Sequence, residues 1–262
     1  MGNFFQWSFF WEHIFNLSPD YLPALGRTIS MAVIAQVLGI LLGSAISVGR
    51  LAKSPWARGA AGLYVWFFRG IPELVLLVLL FTGLSASGIF RFADLDVAGL
   101  RIAGNFQAAI IAFGFREGAY MAEIIRTGVQ SVDRRQINAA RALGMNRRLV
   151  LRRIIVPQAL RVVIPPLGND FNVMLKVTTL ASVIGVPDLL LSTQTFASSN
   201  FRVFELFIGL AINYLLLTTA WSVIQSVIEN KLSAYEVEPG ARSVAERLWR
   251  HLTGAETIRE VA

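Results

Sequence analysis

Cysteine is absent from the 262-residue sequence, so disulfides and thiolate metal sites are excluded. Histidine is almost as scarce, with only His13 and His251, too few for a histidine-based metal or catalytic centre. No Gly-x4-Gly-Lys-Ser/Thr loop is present to cradle phosphates, which excludes ATP hydrolysis by this chain alone. A nucleophile–base set, an internal repeat and a soluble domain are missing too. Charge is thin: 16% of residues are charged and 55% are hydrophobic, the profile of an integral membrane protein. The net charge of +7 could point to nucleic acid. The arginines, however, lie in loops between apolar runs, and membrane topology explains them more simply. No catalytic residue, metal or nucleic-acid partner is expected.

Apolar runs long enough to cross about 30 Å of hydrocarbon occur at 28–49, roughly 60–84, about 103–125, about 167–191 and 206–228. The expected fold is therefore all-α and membrane-integral, with five transmembrane helices. The aromatic stretch 3–17 is too short to span and lacks a cleavage site, so it is not read as a signal peptide. It reads as an interfacial helix with Trp7 and Trp11 near lipid headgroups, or as an ordered aromatic tail. Segments 50–58 and 126–161 hold twelve basic residues, against three in 1–25, 85–102 and 190–204. The positive-inside rule then puts the N-terminus outside and the loop after the third span in the cytoplasm. After 229 the charge is mixed, and 241–252 has the pattern of a short surface helix.

That cytoplasmic loop, 133–157, is too polar to cross a bilayer. Asp133 followed by Gln136 predicts a capping box. The run from Ile137 to Leu143 is good helix, and Gly144 is placed to end it in the left-handed conformation. Asn146 caps a second helix, expected to stop near Val156 because Pro157 follows; the chain then continues through 158–164 and is expected to break at Pro165-Pro166. The alanines Ala139, Ala140 and Ala142 allow close approach of another surface. The neighbouring arginines, Arg147 among them, suit an acidic partner or anionic lipid.

The spacing of this loop resembles the signature of binding-protein-dependent ABC transporter permeases: Glu-Ala-Ala, three residues, Gly, nine residues, Ile-x-Leu-Pro. Ala139, Ala140, Gly144, Ile154 and Pro157 are in register, while Asn138 replaces the Glu and Val156 the Leu. The resemblance implies a coupling helix formed by Asn138, Ala139, Ala140, Ala142, Leu143, Gly144 and Arg147, docking on a separate ATPase. Segments 69–81, 114–126 and 168–190 also look like polar amino-acid uptake permeases of the histidine/arginine/opine branch. The likeness covers about 22–232. It implies a type I ABC importer permease that pairs with an identical or paralogous permease in the bacterial inner membrane. It implies a periplasmic binding protein as donor, with ATP and Mg bound in the ATPase and no cofactor bound directly. The expected domains are a segment at 1–21, the transmembrane domain at 22–232 with its coupling loop at about 131–160, and a cytoplasmic tail at 233–262.

Ionisable groups at membrane depth are costly and mark candidate sites. Arg69 and Glu73 are spaced to pair along one helix face across the kink expected at Pro72. Glu123 pairs with Arg126. Glu117 has no obvious local partner, since Arg116 points elsewhere, which favours a place on the substrate path and contact with a substrate cation. Tyr120, Asn169, Asp170, Lys176 and Thr178 complete the candidate pathway. Asp170 and Lys176 can instead bridge helices, and Thr178 and Thr179 can bond to their own backbone turn. A secondary transporter or channel for a small polar solute is the alternative. Such transporters are commonly built from repeats, and a channel has no use for a Gly-hinged cytoplasmic hairpin.

Overall fold

The computed structural model describes residues 5–97 and 99–233. The chain divides into two units, 1–225 and 226–262; within the second, the final turns of the last helix are described, ending at Ser233. The expected tail after 233, with its surface helix, lies outside the described residues.

Helix α1 (Trp7–His13) bears Trp7 and Trp11 on exposed positions, so the aromatic stretch is helical there. Helix α2 (Tyr21–Leu51) contains the first expected span, and α3 (Pro55–Gly70) starts with proline at a first-turn position. The expected second span is not one continuous helix. Ile71 precedes Pro72 and is forced into extended backbone, so α3 ends and α4 (Glu73–Val78) leaves at 103°. A π-turn (Leu79–Gly83) leads into α5 (Leu84–Ala86). A small antiparallel hairpin follows, β1 (Leu95–Val97) with β2 (Leu100–Ile102), pairing Asp96 with Arg101.

Helix α6 (Gly104–Gln130) matches the third expected span and is the centre of the bundle. It packs most extensively on α2, and small residues on both helices permit this. A Cβ on Gly39 or Gly43 of α2 would collide with Glu117 or Met121 of α6. One on Gly114 of α6 would collide with Leu38. Met31, Ala35, Ala108, Ala112 and Phe113 fill the core beside this contact, with Leu77 of α4 and Met174 from further along the chain.

The cytoplasmic loop forms α7 (Arg134–Ala142) and α8 (Arg147–Val150). The second arm does not stop near Val156, nor does the chain break at Pro165-Pro166. A π-turn (Leu151–Ile155) leads directly into α9 (Val156–Val177). The π-turn lets Val156 N–H reach Leu151 O, so Pro157 enters at the start of a new helical register, where no donor is needed. At Pro165, Gln225 Nε2 donates to the local carbonyl at 3.3 Å, giving the proline-bearing turn a side-chain partner.

The expected fourth span, 167–191, is also cut short. α9 tightens into a 3-10 turn (Thr178–Ile184), Gly185 adopts φ +79°, and Asp188 caps α10 (Leu189–Asn200). Helix α11 (Val203–Ser233) contains the fifth expected span. By length and composition, Tyr21–Leu51 and Val203–Lys231 qualify as membrane spans, and each of two bent helix pairs can supply one more. α6 is long enough, but Arg116, Glu117, Glu123 and Arg126 lower its apolar character.

Candidate functional site

The hairpin is built from its caps outward. Asp133 Oδ1 accepts from Arg135 N–H at 2.8 Å and starts α7. The reciprocal half of the expected capping box does not form. Gln136 Oε1 instead accepts from Gln158 Nε2 at 2.6 Å, because that side chain reaches the neighbouring helix. At the other end Met145 N–H donates to Ala140 O and Gly144 N–H to Arg141 O, with Gly144 at φ +79°. This is a Schellman termination, which requires the left-handed glycine. Asn146 Oδ1 then accepts from Leu149 N–H and starts α8.

Asn138, Ala139, Ala142, Leu143, Gly144 and Arg147 all stand exposed, and Leu143 is 84% accessible. Ala140 does not join that surface. At 4% accessibility it packs within the chain, since on α7 it faces nearly opposite to the exposed Asn138. The hinge therefore presents an apolar leucine flanked by small residues and arginines.

A second constellation lies where α6 meets α2, α4 and α9, and its hub is Arg116. Its Nε donates to Glu73 Oε1 at 3.1 Å and its Nη1 to Glu117 Oε2 at 3.1 Å, and Nη1 is 3.9 Å from Asp170 Oδ1. The guanidinium lies 4.0 Å from the Tyr120 ring centroid, one helical turn along α6, where cation–π attraction adds to the ion pairs. Gln36 Nε2 of α2 donates to Glu117 Oε1 at 3.1 Å. Fully buried between these two donors, Glu117 does not lack a local partner. Adjacent residues on a helix diverge, but the arginine side chain is long enough to fold back onto its neighbour's carboxylate.

The expected Arg69–Glu73 pair is not formed either. The two residues sit on opposite sides of the break at 71–72. Glu73 binds Arg116, and Arg69 points its guanidinium to 4.9 Å from the Tyr120 ring. Asp170 bridges helices as expected. Thr178 and Thr179 donate to the Leu175 and Lys176 carbonyls. Lys176 and Asn169 are exposed, and Asn169 Oδ1 accepts from Gln225 Nε2 at 3.2 Å. Four of the eight pathway candidates, Glu73, Glu117, Tyr120 and Asp170, thus converge on Arg116, and a fifth, Arg69, reaches the same Tyr120 ring. Sequence reasoning missed Arg116 as hub and Gln36 as its support. The signals were the i, i+4 spacing of Arg116 and Tyr120 and a lone amide in an otherwise charge-free span.

Glu123 pairs with Arg126 as expected, at 2.7 Å, and also accepts from Arg50 of α2 at 2.9 Å. Outside the spans, Asp94 accepts from Gly104 N–H at 2.9 Å and pairs with Arg101 at 2.7 Å. The backbone donor first, and then the guanidinium, hold this carboxyl below the usual aspartate value.

The structure thus combines an apolar helical bundle with a capped, exposed hairpin and a buried polar hub. The chain belongs to the family of binding-protein-dependent transport system inner membrane components, matched over residues 35–234. It is 38% identical over 208 residues to the arginine transport system permease protein ArgU of Corynebacterium glutamicum. That match covers 78% of this chain and 65% of ArgU, slightly under two thirds of its length. It is 35% identical over 223 residues to the probable amino-acid permease protein YxeN of Bacillus subtilis, covering 85% of this chain and 96% of that one. The crystal structure of an amino acid ABC transporter with histidines superposes with a TM-score of 0.73 at 32% identity. The overlap covers 88% of this chain and 100% of that one. The fold is that of a type I ABC importer permease, and the protein is the membrane subunit of such an importer rather than an enzyme.

Proposed function

We propose that this subunit passes a polar amino acid, of the basic or opine type, from a periplasmic binding protein to the cytoplasm by alternating access. The similarity to an arginine transport permease supports the substrate class. The observation that carries the mechanism is the Schellman-terminated hinge, whose exposed Leu143 and Gly144 form a rigid knob for a partner's cleft. In this reading ATP and Mg are bound by two ATPase subunits, and their closure pushes the hairpin against the helices. A second permease, identical or paralogous, completes the pathway. The N-terminus is periplasmic, the tail after 233 is cytoplasmic, and Trp7 and Trp11 rest among lipid headgroups. Residues 1–21 form an interfacial segment and 22–232 the transporting domain. Arg69, Glu73, Glu117, Tyr120, Asn169, Asp170, Lys176 and Thr178 are its candidate pathway residues.

Two substitutions test the hinge. Gly144→Val places a β-branched residue at positive φ, a strain of about 1–3 kcal/mol confined to the hairpin. Leu143→Asp puts a charge on the knob without touching the bundle. Both are expected to insert normally, lose the copurifying ATPase and abolish ATP-driven uptake in vesicles. Wild-type copurification and uptake in both variants would remove the coupling assignment.

A further inference from the structure

The importer reading above, on which this inference rests, requires a substrate to meet polar groups along the chain. Three carboxylates and an aromatic face converge at the Arg116 hub, and together they are the chemistry that holds a guanidinium. That seat is already filled from within. Arg116 is 5% accessible, spends Nε and Nη1 on Glu73 and Glu117, and covers the Tyr120 ring. A tethered cation competes at a local concentration that a dissolved ligand rarely matches. A cationic substrate side chain therefore gains little here over a neutral one.

Two groups beside the seat remain open. Arg69 is exposed, approaches the same Tyr120 ring, and pairs with no carboxylate among the described residues. The Glu73 side chain is 31% accessible and accepts from Arg116 on Oε1, and its second oxygen has no donor among the described residues. The two residues flank the extended Ile71–Pro72 corner, where the 103° bend fixes one cationic and one anionic group on either side of a stiff turn. Such a pair complements an α-carboxylate and an α-ammonium group.

We propose that Arg69 and Glu73 read the zwitterionic head of an amino acid, and that Arg116, by occupying the cation seat, makes the site indifferent to charge on the substrate side chain. Arg116 is then a specificity-determining residue that acts by exclusion.

The permease, purified with its copurifying ATPase, is loaded with labelled L-arginine and challenged with two analogues. L-Citrulline keeps the zwitterion and replaces the guanidinium by a neutral urea; agmatine keeps the guanidinium and lacks the carboxylate. Citrulline is expected to displace the label within about threefold of unlabelled arginine, and agmatine at least about tenfold more weakly. Arg69→Gln should weaken arginine and citrulline alike by about tenfold, with partial recovery in Arg69→Lys. Arg116→Met, which vacates the seat, should raise the preference for arginine over citrulline by about fivefold or more. Should Arg116→Met fail to fold, the wild-type comparison of the two analogues decides alone. Agmatine matching arginine while citrulline fails would overturn the proposal. Absence of arginine binding with the ATPase still attached would overturn the seat and leave the importer reading in place; loss of the ATPase as well would overturn both.

Discussion

Arginine is used in two opposite ways in this molecule. Arg116 is enclosed, its acidic neighbours come from three helices, and Glu117 is held in turn by Gln36 of α2. The hairpin arginines are spread over an exposed surface; Arg135, at 93% side-chain accessibility, pairs among the described residues only with the cap Asp133 two positions back. The same side chain is a structural fixture in one region and an unspent contact in the other. Burial decides which: a desolvated charge must be paired where it stands, whereas a hydrated one can wait for a partner.

The largest expected effect falls on the enclosed side of that contrast. Arg116→Ala leaves Glu117 buried beside Glu73 and Asp170 without their shared cation, and is expected to cost about 3–5 kcal/mol. Heating the detergent-solubilised protein and measuring the fraction that stays monodisperse checks this. Arg116→Ala combined with Glu117→Gln should recover part of the loss, and equal instability in both would dissolve the hub. A smaller effect belongs to the exposed side: Arg147→Ser with Arg148→Ser should move thermal stability by no more than about 0.5 kcal/mol. A large loss of stability in that pair would erase the distinction between the two regions.

The smallest effect concerns Asp94, an exposed carboxylate that is fixed all the same. Its carboxyl titrates below the ordinary 3.8, so its hold on Gly104 is complete above that value and is lost as pH falls through the lower folded value. Hydrogen exchange at the start of α6 should therefore be unchanged from neutral pH to about 4, beyond the intrinsic pH dependence of exchange, and accelerate below the aspartate range. Asp94→Asn should show the faster exchange already at neutral pH. A variant indistinguishable from wild type would leave Asp94 without a capping role.

Much of this architecture was legible in the sequence because it rests on local rules. The Gly144 hinge, the Asn146 cap, the Glu123–Arg126 pair and the long apolar helices each depend on residues a few positions apart. What was not legible depends on neighbours distant in sequence. Pro72 announced a kink, but the depth of the break and the transfer of Glu73 to Arg116 follow from how α4 packs on α6. Pro157 and Pro165-Pro166 looked like stops. The helix passes them because a π-turn admits Pro157 where no donor is needed, and at the second site the Gln225 amide, 60 residues away, bonds the carbonyl of Pro165 itself. Ala140 carried no sign of facing inward, since a small residue suits either face. Gln36 could not be assigned to Glu117 before α2 and α6 were known to meet through their glycines.

The continuity of the chain from Arg147 to Ile184 has one more consequence. At 1.5 Å per residue, an unbroken helix of that extent is a lever with an arm of about 55 Å. A tilt of only about 5° at the hairpin end would sweep the far end through about 5 Å, roughly one helical turn, with no bond rearranged in between. Pro165 and Pro166, which lack the N–H donors of a regular helix, give this lever a compliant point between its ends. A stroke applied at the hinge could thus be divided into a push on the near half and a swing of the 3-10 segment beyond it.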